Sequence, residues 1–98
     1  MNRDLIDNNY IIVPQFLEQD IAINYANHFK KFCENNNVEG DWQVPTSSAF
    51  HNFLPFLELL IEKIPHVTSI VGEPLLPTYS YSRIYKNGNT LKRHTDRD

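Results

Sequence analysis

Two stretches of the chain repeat apolar residues at the spacing of an α-helix. The first stretch carries five of them at intervals of four, four, three and one: Ile21, Tyr25, Phe29, Phe32 and Cys33. This pattern predicts a helix from about residue 18 to residue 35, with an aromatic stripe facing a core. Glu18 and Asp20 would stand in its first turn, where carboxylates oppose the positive end of the helix dipole.

The second stretch, residues 50–64, is apolar around much of its circumference and predicts another helix. Pro55 falls near the start, where proline is tolerated, whereas Pro65 is expected to interrupt the helix. Residues 65–71 then suggest a short separate helix, with Gly72 just past its end.

Shorter runs predict strands and loops. The β-branched run at residues 10–13 indicates a buried strand, which Pro14 ends. Residues 38–48 are rich in turn formers and predict a loop, with room for a brief strand at 42–44. Trp42 either covers the core or lines the mouth of a site, and the core is the preferred expectation. A further strand is predicted at residues 79–86.

The predicted strand at 79–86 places four polar-tipped side chains on one face, because alternate residues point the same way: Tyr79, Tyr81, Arg83 and Tyr85. Each polar tip needs a partner, so this face suits a polar cavity or a wet groove. The alternative is a solvent-exposed sheet face with aromatic cross-strand pairs. Both interpretations stay open at this point.

Composition limits the functional classes. Ninety-eight residues with 41% hydrophobic content make one globular domain, and a net charge of −3 gives no footprint for nucleic acid. Four basic residues near the end either attract an acidic substrate or are solvated charges: Lys86, Lys92, Arg93 and Arg97. A lone cysteine, Cys33, excludes an internal disulfide framework and is expected in the core. With no membrane-length apolar run and no signal-peptide pattern, the expected location is the cytoplasm.

Candidate chemistry follows the last predicted strand. The pair Asn87 and Gly88 is a strong hairpin signal and should fold residues 90–98 back towards residues 79–86. The returning segment carries His94 and, two residues later, Asp96, which a strand would direct to one face. One imidazole and one carboxylate with open positions are two-thirds of the 2-His-1-carboxylate site that binds Fe(II) in non-haem oxygenases.

These residues carry a family resemblance. The segment P-T-Y-S-Y-S-R-I-Y-K-N-G-N-T-L-K-R-H-T-D-R, residues 77–97, resembles the 2-oxoglutarate/Fe(II)-dependent dioxygenases of the prolyl 4-hydroxylase type, whose motif is a tyrosine, a glycine turn and then H-x-D. The resemblance implies that His94 and Asp96 are Fe(II) ligands, that Tyr85 contacts 2-oxoglutarate and that Gly88 is the turn glycine. Upstream, the predicted strand and helices resemble the support layer of that fold.

Strand alternation places Tyr81 and Arg83 on the face of Tyr85, so these two side chains are expected to line the same 2-oxoglutarate pocket. None of the three is assigned a catalytic step.

The sequence also departs from the family. The distal histidine ligand, and the basic residue that holds the far carboxylate of 2-oxoglutarate, would follow on later strands, and the sequence ends at Asp98 before them. His28, His51 and His66 lie upstream of the motif and are expected at helix ends or on the surface. The chain therefore looks like the N-terminal portion of an oxygenase: a truncated reading frame, a cloned fragment or a decayed relative.

The expected fold is a single α+β domain, with two or three helices packed on a small, mainly antiparallel sheet that forms part of a double-stranded β-helix (jelly-roll). The expected function is that of a dioxygenase-related protein, which would hydroxylate a protein side chain or a small molecule when complete, and this chain alone is expected to be nearly inactive. The alternative is a non-catalytic interaction module. In either case an unfinished sheet leaves an open strand edge, which predicts self-association.

Overall fold

The computed structural model describes residues 2–96. Within that range the chain forms three helices and two strands, in the order α1 (Arg3–Asn8), α2 (Gln19–Asn35), β1 (Ser48–His51), α3 (Leu54–Val71) and β2 (Tyr81–Ile84). The two strands pair in an antiparallel sheet. The predicted α+β class with a small antiparallel sheet is confirmed. The sheet has two strands within residues 2–96, fewer than the sequence suggested.

Helix α2 confirms the first prediction within one residue at each end. Two of its stripe residues, Phe29 and Cys33, are buried, and burial raises the pKa of the Cys33 thiol above its usual range. Ile21 is 41% exposed, so the first position of the stripe does not reach the core. At the other end, the side-chain amide of Asn36 donates to the carbonyl of Phe32 at 2.8 Å and satisfies a terminal helix acceptor.

Helix α3 corrects the second prediction at both ends. It begins at Leu54, because residues 48–51 extend as β1, and it continues through Pro65 to Val71 as one helix. The expected interruption at Pro65 is therefore wrong. Proline removes the bond to the carbonyl of Ile61, and both residues lie on the exposed side of the helix, where water can satisfy that carbonyl. Gly72 ends the helix in the left-handed region (φ 85°), as predicted.

Strands β1 and β2 pair in the register Ser48 to Ile84 through His51 to Tyr81. The amide of Asn52 extends the ladder by donating to the carbonyl of Ser80 at 2.8 Å. Strand β2 lies within the predicted strand, although it is shorter. Its partner was not predicted as a strand, because Ser48 had been placed in a loop and His51 in a helix.

Two further strand predictions are wrong. Residues 10–13 are irregular, and their large side chains Tyr10 and Ile12 are 62% and 77% exposed. A run of β-branched residues forms a strand only when a neighbouring strand pairs with it, and within the described range no strand lies beside residues 10–13. Residues 42–44 are a bent loop, and Trp42, expected against the core, is 86% exposed.

The core lies where α2 and the start of α3 meet the sheet. Its buried members are Phe29, Cys33 and Phe53, with five partly buried neighbours around them: Phe32, Val38, Phe50, Phe56 and Ile84. The ring of Phe53 lies 4.8 to 5.2 Å from three other phenylalanine rings, in tilted or edge-to-face arrangements. This aromatic cluster fixes the sheet against the helices and so positions β2.

Helix α1 had no counterpart in the prediction. The side chain of Asn2 caps it by accepting from the amides of Asp4 at 2.9 Å and Leu5 at 3.3 Å. The backbone amide of Asn2 donates to the carbonyl of Val71 at 2.8 Å, which attaches α1 to the end of α3.

Candidate functional site

Strand β2 presents a charged cluster that the sequence did not reveal. Arg83 donates from Nη1 to Oδ1 of Asp41 at 3.0 Å and from Nη2 to Oδ2 at 2.6 Å. The hydroxyl of Tyr81 donates to the same Oδ2 at 2.6 Å. A guanidinium and a carboxylate paired in this bidentate way form one of the stronger polar contacts in proteins. Asp41 had been read only as a turn former.

The loop before β1 holds Asp41 in place. Its Oδ1 also accepts from the backbone amides of Gln43 at 3.1 Å and Val44 at 3.0 Å, so the loop turns around the carboxylate. The preceding residue, Gly40, packs very closely against the backbone of the same loop. A Cβ at this position would lie 2.0 Å from the carbonyl oxygen of Val44. Only glycine fits at that position.

These contacts change the acid–base chemistry of the cluster. The hydrogen bond from Tyr81, with those from Val44 and Arg83, lowers the pKa of Asp41 from 3.8 to about 2. Partial desolvation of its hydroxyl, together with the hydrogen bond to Asp41, raises the pKa of Tyr81 above its usual value. At neutral pH the carboxylate is therefore ionised and the phenol is neutral, as the donor–acceptor geometry requires.

Arg83 lies between two tyrosine rings. Its guanidinium carbon is 5.8 Å from the ring centre of Tyr81 and 5.5 Å from that of Tyr85. The Arg83 side chain is only 8% exposed, whereas Tyr79, Tyr81 and Tyr85 are each about half exposed. His51 of β1 packs edge-on against Tyr79, with ring centres 4.9 Å apart. Of the two open interpretations, the exposed sheet face with cross-strand aromatic pairs describes the structure.

The Asn87–Gly88 turn forms as predicted. The amide of Asn89 donates to the carbonyl of Lys86 at 2.9 Å, and Gly88 adopts a positive φ of 88°. The side-chain amide of Asn89 donates to Thr46 Oγ1 at 2.8 Å, which attaches the turn to the loop before β1. Residues 90–96 leave this turn without pairing as a strand, so the predicted hairpin is wrong for this part of the chain. Residues 97 and 98, also predicted to fold back, lie outside the described range.

His94 and Asp96 do come together. Nε2 of His94 lies 3.4 Å from Oδ1 of Asp96, and Nδ1 of His94 lies 2.9 Å from the carbonyl oxygen of Lys92. The side chains are 37% and 96% exposed, so this pair lies at the surface.

The histidine-and-carboxylate pair has no third protein ligand in the part of the chain that the structure describes. Within residues 2–96, no group of three or more histidine, cysteine, aspartate or glutamate side chains is arranged to hold a metal ion. The three other histidines lie elsewhere: His28 edge-on to Phe53, His51 on the sheet face and His66 stacked on Phe16. All three are exposed, as predicted.

Comparison of the chain with protein-family models, with curated proteins and with solved structures finds no match. Across residues 2–96, none of the helices combines the length and the apolar character that a membrane crossing requires.

Proposed function

We propose that this chain supplies two protein ligands, His94 and Asp96, to a metal site of the 2-oxoglutarate/Fe(II) dioxygenase type. The observation that carries the proposal is the arrangement of four atoms: one ring nitrogen of His94 faces a carboxylate oxygen of Asp96, and the other ring nitrogen is bonded to the backbone carbonyl oxygen of Lys92. Metal-binding histidines commonly have this outer contact, which fixes the ring orientation.

The tautomer of His94 follows from its partner. A carbonyl oxygen can only accept a hydrogen bond, so Nδ1 carries the hydrogen that points to Lys92. In the neutral ring this leaves a lone pair on Nε2, which repels the negatively charged Oδ1 of Asp96 at 3.4 Å. A cation placed between them would remove that repulsion and bind both atoms.

The donor set fits the ion that the resemblance implies. Imidazole nitrogen and carboxylate oxygen are the ligand types of non-haem Fe(II) sites. Metal–ligand distances of about 2.1 Å allow two atoms 3.4 Å apart to reach one ion. When bound together, Fe(II) and 2-oxoglutarate supply the O2 activation used for C–H hydroxylation. The third ligand would come from solvent or from a polypeptide segment other than residues 2–96, so we expect the 98-residue chain alone to turn over 2-oxoglutarate little or not at all.

We assign the contacts to 2-oxoglutarate to the face of β2, where Tyr85 is accessible and Tyr81 and Arg83 are already bound to Asp41. The half-exposed phenol of Tyr85 is accessible to a bound acid. Nη1 and Nη2 of Arg83, and the hydroxyl of Tyr81, already donate to Asp41. A 2-oxoglutarate carboxylate would therefore have to compete with Asp41 for them, which makes Tyr85 the first residue to test.

The proposal extends to the fold. We infer that the β1–β2 pair is the beginning of a double-stranded β-helix, with α2 and α3 as its supporting layer. Two features support this: the helices pack on one side of the sheet through Phe29, Phe53 and Ile84, and β2 has an edge on which a further strand could pair.

Anaerobic titration with Mn(II) or Fe(II), followed by calorimetry with and without 2-oxoglutarate, tests the site. We expect saturable one-to-one binding that His94→Ala and Asp96→Ala abolish and that His28→Ala leaves unchanged. If 2-oxoglutarate strengthens metal binding, Tyr85→Phe should reduce that gain. Identical titration curves for the chain and for His94→Ala would contradict the proposal.

A second candidate function, a non-catalytic interaction module, is favoured by the exposed edge of β2. On β1, the amide of Ala49 donates to the carbonyl of Glu39 at 3.0 Å and therefore points away from β2. Arg83 lies directly opposite Ala49, so its backbone groups point away from β1 in turn. Within residues 2–96 no third strand pairs with that edge, which leaves it free to add a strand from another copy.

Light scattering over a range of protein concentrations tests this second candidate. The expected result is a mass that rises above that of a monomer with concentration. Tyr85→Pro, which removes the next outward-pointing amide by strand alternation, should prevent the rise. A strictly monomeric chain at every concentration would exclude association through β2.

A further inference from the structure

The structure contains an apolar groove that neither proposed function uses. It has a volume of about 330 Å³ and is open on one side. One wall is a face of α3 that includes Phe56, Leu60 and Ile64, and the other is the extended segment at residues 75–77. Phe16, from the chain before α2, also lines the groove. A volume in this range, with almost entirely apolar lining, is typical of small-molecule sites.

A single charged side chain, that of Lys63, lines the groove. Its ammonium nitrogen lies 5.2 Å from the centre of the Phe16 ring. Among residues 2–96 no carboxylate forms an ion pair with Lys63. The groove therefore combines an apolar floor with one cation whose charge no carboxylate of residues 2–96 neutralises.

The dimensions of α3 limit the length of a ligand. Phe56 and Lys63 are separated by seven residues, or about 10 Å along the helix axis. An extended alkyl chain of moderate length can lie along this distance with its head group beside the ammonium. At the rim, Leu76 is 91% exposed, and a ligand in the groove would cover part of its apolar surface.

We propose that this groove binds an amphipathic monoanion, specifically a medium-chain alkyl carboxylate, with its hydrocarbon chain along α3 and its carboxylate paired with Lys63. The argument is one of charge complementarity. The apolar lining would accept any alkyl chain, whereas the single cation favours a negative head group over a neutral or positive one.

Three ten-carbon probes of different charge test the proposal: decanoate, decanol and decyltrimethylammonium, each below its aggregation limit. Binding is followed by NMR shifts of backbone amides. We expect saturable shifts along α3, with decanoate binding about fivefold more tightly than decanol, the size of a partly exposed ion pair. Equal affinities for the three probes, or shifts that do not saturate, would overturn the proposal.

Lys63→Met keeps the apolar stem of the side chain and removes its charge, so it should abolish the preference for decanoate without removing the binding of decanol. Lys63→Glu should reverse the preference in favour of decyltrimethylammonium. Lys31→Met, on the exposed side of α2, is the matched control and should change nothing. If Lys63→Met still prefers decanoate, the carboxylate does not pair with Lys63, and the proposal is overturned. Decanoate affinity that falls as protein concentration rises would assign the groove to a second copy and also overturn the proposal.

Discussion

Arg83 and Asp41 are 42 residues apart in the chain and form a bidentate ion pair, with nitrogen–oxygen distances of 2.6 and 3.0 Å. This contact joins the loop before β1 to strand β2 on the side of the sheet opposite the aromatic core. Because the Arg83 side chain is 8% exposed, its charge is largely removed from water and depends on Asp41 for compensation. The pair is therefore central to the stability of the face that carries Tyr81 and Tyr85.

Asp41→Asn should destabilise the chain by about 2 kcal/mol at pH 7, because it leaves a mostly buried guanidinium without its counter-charge. The pKa of Asp41 is lowered to about 2, so its contribution to stability is complete above about pH 4 and is lost as the pH falls towards 2. The difference between the two proteins should shrink over that range. Urea denaturation from pH 7 to pH 2 measures it, with Glu73→Gln, at an exposed position, as the control. A difference that is independent of pH would contradict this account of the pair.

Gly40→Ala should destabilise the chain by about 3 kcal/mol, because the new Cβ would lie 2.0 Å from a backbone oxygen and the loop around Asp41 would have to move. Gly88→Ala is the matched control. Its Cβ would meet no atom within 4 Å, and its positive φ of 88° limits the expected cost to about 1 kcal/mol. Thermal unfolding of both variants gives the comparison. Equal losses would show that Gly40 is not closely packed.

Pro65→Ala should stabilise the chain by about 2 kcal/mol. The change restores the amide that can donate to the carbonyl of Ile61 and removes the clash of the ring, while greater freedom of the unfolded chain offsets part of the gain. Pro55→Ala, in the first turn of α3, should alter stability by less than about 1 kcal/mol. Chemical denaturation of the two variants measures the difference. A loss of stability in Pro65→Ala would indicate that α3 is two helices.

Phe53→Ala should reduce stability by about 3 kcal/mol or more, because Phe53 is 5% exposed and its ring contacts several others at the centre of the core. Trp42→Ala removes a larger ring that is 86% exposed and should have little effect. Denaturation followed by circular dichroism compares the two. A large loss in Trp42→Ala would support the earlier expectation that this tryptophan covers the core.

The sequence correctly predicted the elements that depend on interactions between residues close together in the chain. The four-, four- and three-residue intervals before Cys33 were sufficient to predict α2, and Asn87 and Gly88 were sufficient to predict a turn. Two other predictions were wrong. Residues 10–13 have the composition of a strand but no strand beside them within residues 2–96, and Pro65 is tolerated because it lies on the exposed side of α3.

The candidate site shows the same division. Sequence proximity brought His94 and Asp96 together, and strand alternation correctly placed Tyr81, Arg83 and Tyr85 on one face. The carboxylate that pairs with Arg83 belongs to Asp41, 42 residues upstream, and no spacing rule relates the two positions. A signal was nevertheless present, since an arginine on a packed strand requires an acidic partner and the preceding loop offers Glu39 and Asp41.

Residue-resolved NMR during titration with Mn(II) is the most direct test of the proposed metal site. The ion broadens signals near the position where it binds. We expect the amides around His94 and Asp96 to broaden first and at the lowest metal concentration, with the effect lost in His94→Ala and retained in His51→Ala. Broadening that begins elsewhere in the chain, or that is the same in His94→Ala, would show that these two residues do not form a metal site.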